Sequence, residues 1–246
     1  MKSKNVKEVA ETWENLWKKT KFEEWDQLSE NIYRILCKET FRTRNKLLLE
    51  AGSGTGRISY KLKEDARGDA VLLDVSKAAI RTSKKLFEEK GEMGFFILGS
   101  ILSIPLKDDI IDVAWNAGVL EHFSESEQFL ALKEMSRVCK NKGVVITLNP
   151  FSGALFYRIG KWFAEKTNTW IYGYEKPIKS MKRFDIEGCV WISQYPVDFD
   201  TTINFLSQIP FLNHFISLLR KISKKLPARM LNQCGYLLVS VARKVG

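Results

Sequence analysis

Histidine is nearly absent from this chain: its 246 residues include two, His122 and His214. The four cysteines, Cys37, Cys139, Cys189 and Cys234, lie far apart and form no C-x-x-C. These scarcities argue against a structural zinc site and fit isolated thiols in a reducing compartment. No metal site is expected. Long apolar runs are also missing. The longest uncharged run, residues 201–219, contains Asn204, Gln208, Pro210 and Asn213, which suit hydrocarbon poorly. The N-terminal stretch MKSKNVKEVAETWENLWKK is charged throughout and has no apolar core of a signal peptide. No repeats or low-complexity segments occur. The expectation is a soluble, cytoplasmic protein.

What is present fits a globular domain: 45% hydrophobic, 28% charged and 12% aromatic residues. The length suits one domain with embellishments. The net charge of +10 is unevenly placed. Residues 1–45 hold 10 basic and 8 acidic side chains, residues 46–149 hold 15 of each, and residues 150–246 hold 14 and 6. A neutral middle followed by a basic C-terminal part marks a surface for an acidic partner.

Periodicity predicts helices within residues 5–41, where Val9, Trp13, Leu16 and Trp17, then Ile32, Ile35 and Leu36, recur at helical spacing. Short apolar runs then alternate with helical patterns. Strands are expected at KLLLEA (46–51), AVLLD (70–74), FFIL (95–98), IIDVAW (110–115) and VVITL (144–148). Helices are expected at 55–64, 76–90 and 125–139, with Ser76 as an N-cap. Such alternation predicts an α/β fold, a doubly wound and mostly parallel sheet. Regularity fades after Pro150. A strand near 190–194, an amphipathic helix over 211–226 and a last strand at 236–242 are expected, the two strands closing the sheet as an antiparallel hairpin.

The stretch LLLEAGSGTGRIS, residues 47–59, raises the functional question. A strand, a glycine-rich turn and a helix cradle a ligand at the strand's carboxyl end. Gly56 is followed by Arg57 and Ile58, so the Lys-Ser/Thr of a P-loop is missing. Gly52, Gly54 and Gly56 read GxGxG, one residue short of the dinucleotide fingerprint GxGxxG. Glu50 places negative charge beside the loop, which suits an ammonium group better than a pyrophosphate. Asp74 ends the second strand, where an acid accepts hydrogen bonds from ribose hydroxyls. An amino acid joined to a nucleoside meets both demands.

In these features the sequence resembles the class I S-adenosylmethionine-dependent methyltransferases, specifically their small-molecule, type 11-like branch. The resemblance covers roughly residues 45–150. It rests on LLLEAGSGTGRIS, on VLLDVS, on ILGSILSIPLKDDIIDVAWNAGVLEHF with its VLEH signature, and on EMSRVCKNKGVVITLNP. It implies a Rossmann-like sheet of seven strands with helices on both faces. It also implies S-adenosyl-L-methionine as cofactor. The loop Gly52–Gly56 would wrap the methionyl part, with Glu50 near the amino group. Asp74 would take the ribose hydroxyls, and Val75 would pack on the adenine. Ser100 and Ile101 would flank the adenine edge, Ser100 standing where many relatives have Asp. The backbone of Asn116 would face the methionyl group. Asp112 holds a common family position in strand four and reads as structural. The chain then divides into an N-terminal helical cap (1–45), a cofactor-binding core (46–149), a variable helical lid (150–230) and a final strand (231–246).

Methyl transfer from a sulfonium releases a neutral leaving group, so alignment and desolvation carry most of the acceleration. An oxygen or acidic carbon acceptor needs a base. His122, in GVLEHF, is the candidate, because imidazole titrates near neutrality; the alternative is a loop histidine that orders backbone. The (N/D)PP(Y/F) of base-amino methylases is replaced by NAGV, and the Pro-Cys of carbon-5 pyrimidine methylases is absent. DNA is therefore not expected as a partner.

The acceptor must be read from residues 151–229. Residues 151–184 mix many aromatics with seven basic and two acidic residues, and residues 211–229 combine apolar positions with Arg220, Lys221, Lys224, Lys225 and Arg229. A lid over a small-molecule pocket, contact with an anionic membrane and a lipid-like acceptor, or an RNA surface all fit, with RNA ranked last. A cofactor-binding protein without catalysis is the alternative from another class. Trp13, Trp17 and Trp25 of the N-terminal helices could close over the site or meet another subunit.

Overall fold

The computed structural model describes residues 6–19, 25–40, 46–65 and 67–245. Two helices, α1 (Val6–Lys19) and α2 (Gln27–Thr40), occupy the N-terminal segment. Residues 5, 20–24 and 41 of the expected helical stretch lie outside the described residues. Then follow β1 (Leu47–Ala51), α3 (Arg57–Glu64), β2 (Asp69–Asp74), α4 (Lys77–Glu89), β3 (Phe95–Leu98) and β4 (Ile111–Ala117). After a single 3-10 turn at Leu120–His122 come α5 (Glu125–Val138) and β5 (Cys139–Pro150). The C-terminal part holds α6 (Leu155–Lys166), β6 (Cys189–Val197), α7 (Phe199–Asn204), α8 (Asn213–Ser223), α9 (Ala228–Asn232) and β7 (Leu237–Lys244).

Local chemistry starts the core helices where expected. Ser76 caps α4 by accepting from the Ala79 N–H at 3.1 Å. Ser124 and Glu127 form a reciprocal capping box at the head of α5. The seven strands lie in the order β3-β2-β1-β4-β5-β7-β6. Strands β1 to β5 are parallel, and β7 runs antiparallel to both of its neighbours. The order reverses direction between β1 and β4, so their carboxyl ends open a crevice there.

Both faces of the sheet are covered. Leu48, Val113, Trp115 and Ile146 meet Ile32 and Leu36 of α2 and Ile58 and Leu62 of α3. Leu49, Leu73, Ala114 and Val145 meet Leu132 and Met135 of α5 on the other face. Consecutive leucines of β1 thus enter opposite layers, as the two-residue strand period requires. Each such fully buried side chain contributes roughly 1.5–3 kcal/mol of transfer free energy.

Two differences from the sequence reading stand out. The irregular stretch expected after Pro150 contains the helix α6. Gly160 lowers its local propensity, but a Cβ there would lie 2.1 Å from the Phe205 carbonyl oxygen. Close packing, not local preference, explains the glycine. Strand β5 is longer than VVITL: residues 144–148 pair with both β4 and β7, while Cys139 pairs with β4 alone and Asn149 and Pro150 with β7 alone. Strands β6 and β7 pair antiparallel as expected, with α8 inside the helical stretch expected between them and the short helices α7 and α9 on either side of it.

Candidate active site

The turn after β1 is held by backbone. The Leu73 carbonyl accepts from Gly52 N–H at 2.7 Å and Ser53 N–H at 3.0 Å. Gly52, Gly54 and Gly56 have φ of 89°, 52° and 68°, the left-handed region that favours glycine. A Cβ on Gly52 would stand 2.5 Å from Val119, and one on Gly54 2.6 Å from the Trp17 ring. The loop is therefore a cradle that side chains would fill.

Two buried carboxylates flank it. Glu50, at the end of β1, accepts from the Ser59 hydroxyl at 2.6 Å. Burial pushes its carboxyl up to about 8. Asp74, at the end of β2, accepts from Gly54 N–H and Ser76 N–H, each at 2.9 Å. Burial raises it too, against those hydrogen bonds. Ser59 is a partner that sequence reading missed. It lies nine residues from Glu50, on the helix that the glycine turn launches.

A cavity of about 310 Å³ opens at this crevice. Glu50, Gly52, Gly54, Asp74, Val75, Ile101 and His122 all line it. Gly56 sits just behind, where a Cβ would strike Leu72 at 2.4 Å. Two of the expected cofactor contacts differ in placement. Ser100 does not line the cavity; its hydroxyl accepts from the Leu102 N–H at 3.2 Å and shapes a turn, leaving the wall to Gly99 and Ile101. Asn116 is fully buried under the site and donates to the Met135 sulfur at 3.3 Å, while Ala117 and Gly118 form the surface.

The N-terminal and C-terminal parts complete the walls. Helix α1 brings Trp13, Leu16 and Trp17 to the cavity. It is tied to the head of α4 through Glu14, which accepts from the Ser76 hydroxyl at 2.7 Å and the Ala78 N–H at 3.0 Å. Trp25 does not reach the site and donates to Glu30 at 2.9 Å. From the C-terminal part come Trp170, Tyr172, Glu175, Phe205 and Tyr236.

Elsewhere in the lining, Glu121, His122 and Glu175 meet. His122 contacts the Trp13 ring edge-on at a centroid distance of 5.0 Å. Its Nδ1 lies 2.7 Å from the Tyr174 carbonyl oxygen, so Nδ1 carries the proton and Nε2 keeps a lone pair. Burial lowers the imidazole to about 4, with the Tyr174 carbonyl opposing. His122 is thus a weaker base than its residue type alone suggests. Glu121 is 2% exposed, and its carboxyl is raised by burial and by Glu175. Glu175 is pushed up to about 8 by burial and accepts from the Tyr157 hydroxyl. No sequence signal singled out Glu175 or Tyr157, because long-range folding alone brings them to the VLEH turn.

Residues 49–147 match the family model described as a methyltransferase domain. The chain is 27% identical over 219 residues to an uncharacterized protein of Methanocaldococcus jannaschii, covering 89% of this chain and 88% of that one. Among solved structures it is similar to the geranyl diphosphate C-methyltransferase of Streptomyces coelicolor A3(2), solved with Mg2+, geranyl diphosphate and S-adenosyl-L-homocysteine. That likeness has a TM-score of 0.63 at 12% identity and covers 99% of this chain and 100% of the other. The cyclase SpnF is similar too, with a TM-score of 0.62 at 17% identity, covering 94% of this chain and 86% of the cyclase. The fold is the Rossmann-like fold of these solved methyltransferase structures, and residues 49–147 are similar to the methyltransferase domain that the family model describes. The cyclase is a reminder that the fold by itself does not name a reaction.

Proposed function

We propose that this protein transfers the methyl group of S-adenosyl-L-methionine to a small or lipid-like acceptor. One observation carries the reading. One cavity is lined both by the glycine cradle with Glu50 and Asp74 and by the polar cluster of Glu121, His122 and Glu175. Donor and acceptor would meet end to end, as an in-line displacement needs. When bound, the cofactor supplies an electrophilic methyl on a sulfonium. The chain's own residues do the rest. Glu50 would ionise against the donor's ammonium, and Asp74 would hold the ribose while fixing the Gly54 N–H. Val75, Gly99 and Ile101 would cover the adenine. Trp13 and Trp17 would exclude water from above. The acceptor's lone pair would form the new bond as the carbon–sulfur bond breaks, the pair passing to sulfur and any acceptor proton leaving to water.

Titration calorimetry with S-adenosylhomocysteine tests the donor half. Saturable binding is expected, and no heat at high-micromolar ligand would remove the assignment. A radiolabelled methyl donor offered to fractionated lipids, small metabolites and RNA tests the acceptor half, with label expected in the lipid or metabolite fractions.

The acceptor's source is proposed from the outer face of the C-terminal part. On α8, Phe215, Leu218 and Ile222 recur at helical spacing and are exposed, and beyond its ends Phe211, Leu226 and Met230 are exposed too, Phe211 at 96%. The inner residues Ile216, Leu212 and Leu219 already pack with Ile203 and Leu206. Exposed apolar side chains on and beside α8, together with Arg220, Lys221, Lys224, Lys225 and Arg229, suit the interface of an anionic bilayer. Helix α6 also exposes Leu155, Ile159 and Trp162. Among the described residues no helix is long and apolar enough to cross a membrane. Contact would therefore be peripheral. Co-sedimentation with phosphatidylglycerol vesicles is expected, and equal behaviour with neutral vesicles would overturn it.

A further inference from the structure

We propose that Glu121, His122 and Glu175 bind a divalent first-row transition cation, Mn2+ or Zn2+, at the acceptor end of the cavity. This goes against the expectation drawn from the scarcity of histidine, and it rests on reading that end as the acceptor site. One ligand atom from each residue lies within 4.8 Å of the others.

Geometry leaves an opening that a hydrogen bond does not fill. The Nδ1 proton is spent on the Tyr174 carbonyl at 2.7 Å, so the Nε2 lone pair faces outward. It faces Glu121 Oε1 at 3.8 Å, too far for a hydrogen bond even from a protonated carboxyl. Two electron-pair donors thus confront each other across a gap. An ion about 2.1 Å from each would span that gap. The second Glu121 oxygen, Oε2, is buried without any hydrogen-bond partner, although Glu121 is 2% exposed and lines the cavity. An orphaned carboxylate oxygen of this kind calls for a ligand. Among the described residues, neither Glu121 nor Glu175 has a Lys or Arg ion-pair partner.

The surroundings match those of metal ligands. A ligating histidine commonly donates its other ring N–H to a backbone carbonyl, as His122 does to Tyr174. Glu175 is oriented by the Tyr157 hydroxyl, which is itself fully buried. One imidazole and two carboxylates suit Mn2+ or Zn2+ better than the all-oxygen preference of Ca2+ or Mg2+. Three protein ligands leave positions on the cavity side, where an acceptor bearing a hydroxyl or carboxylate oxygen would be held. The acceptor atom would then be oxygen, or lie next to one.

The test uses the full chain, stripped with chelator and titrated with Mn2+ alone, following loss of the free-ion electron paramagnetic resonance signal. One saturable site per chain is expected. Glu121→Gln and Glu175→Gln should each weaken it by about 30-fold, within the range for changes around metal sites. S-adenosylhomocysteine binding, measured on the same samples, reports folding and the donor half. A wild-type chain that binds S-adenosylhomocysteine but takes up no stoichiometric Mn2+ overturns the cation site and leaves the donor assignment standing. Mn2+ uptake without S-adenosylhomocysteine binding does the reverse. Variants that fold and bind Mn2+ as tightly as wild type also overturn the site. The wild-type titration decides the matter even where a variant fails to fold.

Discussion

The residues proposed to hold the donor and those proposed to hold the acceptor are built differently. The donor half is made by β1, β2 and the turns that follow them. Its polar groups are short in sequence range and mostly partnered: Glu50 by Ser59, Asp74 by Gly54 and Ser76. The half proposed for the acceptor gathers Glu121 and His122 from the turn after β4, Glu175 from the segment after α6 and Trp13 from α1. There a carboxylate oxygen is orphaned and an imidazole lone pair faces a carboxylate. A buried oxygen without a hydrogen-bond partner occurs in both, Ser53 Oγ in the glycine turn and Glu121 Oε2 in the cluster, but the cluster alone joins an imidazole and two carboxylates within 4.8 Å. This is the pattern expected where one fold keeps its donor and varies its acceptor.

Substitutions can break that contrast. The largest effect should come from the donor cradle. At Gly56, φ is 68° and a Cβ would meet Leu72 at 2.4 Å and Ser83 at 2.8 Å. Gly56→Ala combines a left-handed backbone with overpacking, and about 2–4 kcal/mol of stability should be lost, read by urea unfolding. An unchanged midpoint would mean that the turn is not locked as described.

An intermediate effect concerns pH. Glu50 is ionised in the unfolded chain above the usual carboxylate range but protonated in the fold up to about 8. The folded state therefore binds more protons between these limits, and stability falls as pH rises through that window. Relative to the wild type, ligand-free Glu50→Gln should gain stability from pH 5 to pH 8 and level off above. Donor binding should run the other way. An ammonium favours ionised Glu50, so affinity for S-adenosylhomocysteine should rise towards pH 8 in the wild type and flatten in the variant. Parallel profiles in the two proteins would detach Glu50 from the donor's amino group.

The smallest effect on the fold, and the sharpest on location, should come from the outer face of α8. Phe215 and Leu218 are exposed, Leu218 at 53%. The double change Phe215→Asp and Leu218→Asp should move stability by no more than about 0.5 kcal/mol per site. S-adenosylhomocysteine affinity should hold, while sedimentation with anionic vesicles should fall several-fold. Retained vesicle binding would place any membrane contact elsewhere.

Much of the donor half was legible because its signals are local. A glycine turn needs particular φ values, a strand ending in acid is followed by its own N-cap, and apolar runs between turns announce parallel strands. Ser76 could be read as a cap from its place before a helical pattern, and it is one. Ser100 shows the limit. Its place in the motif suggested an adenine contact, but its hydroxyl serves the Leu102 N–H. Helix α6 went unread because Gly160 weakens its pattern, and the reason for that glycine is the approach of Phe205.

The amino-acid sequence by itself determined the sheet-forming core, the glycine turn, the carboxylates at its two strand ends and the basic, aromatic character of the C-terminal third. Each depends on residues near one another along the chain, where backbone sterics and hydrophobic period act directly. Only the tertiary structure decided that Glu175 stands against Glu121 and His122, that Trp13 and Trp17 line the cavity, and that Phe215, Leu218 and Ile222 of α8 are exposed. Those facts depend on which surfaces are buried together. Burial is also what shifts the carboxyls and imidazole away from their ordinary values and leaves one oxygen of Glu121 without a partner.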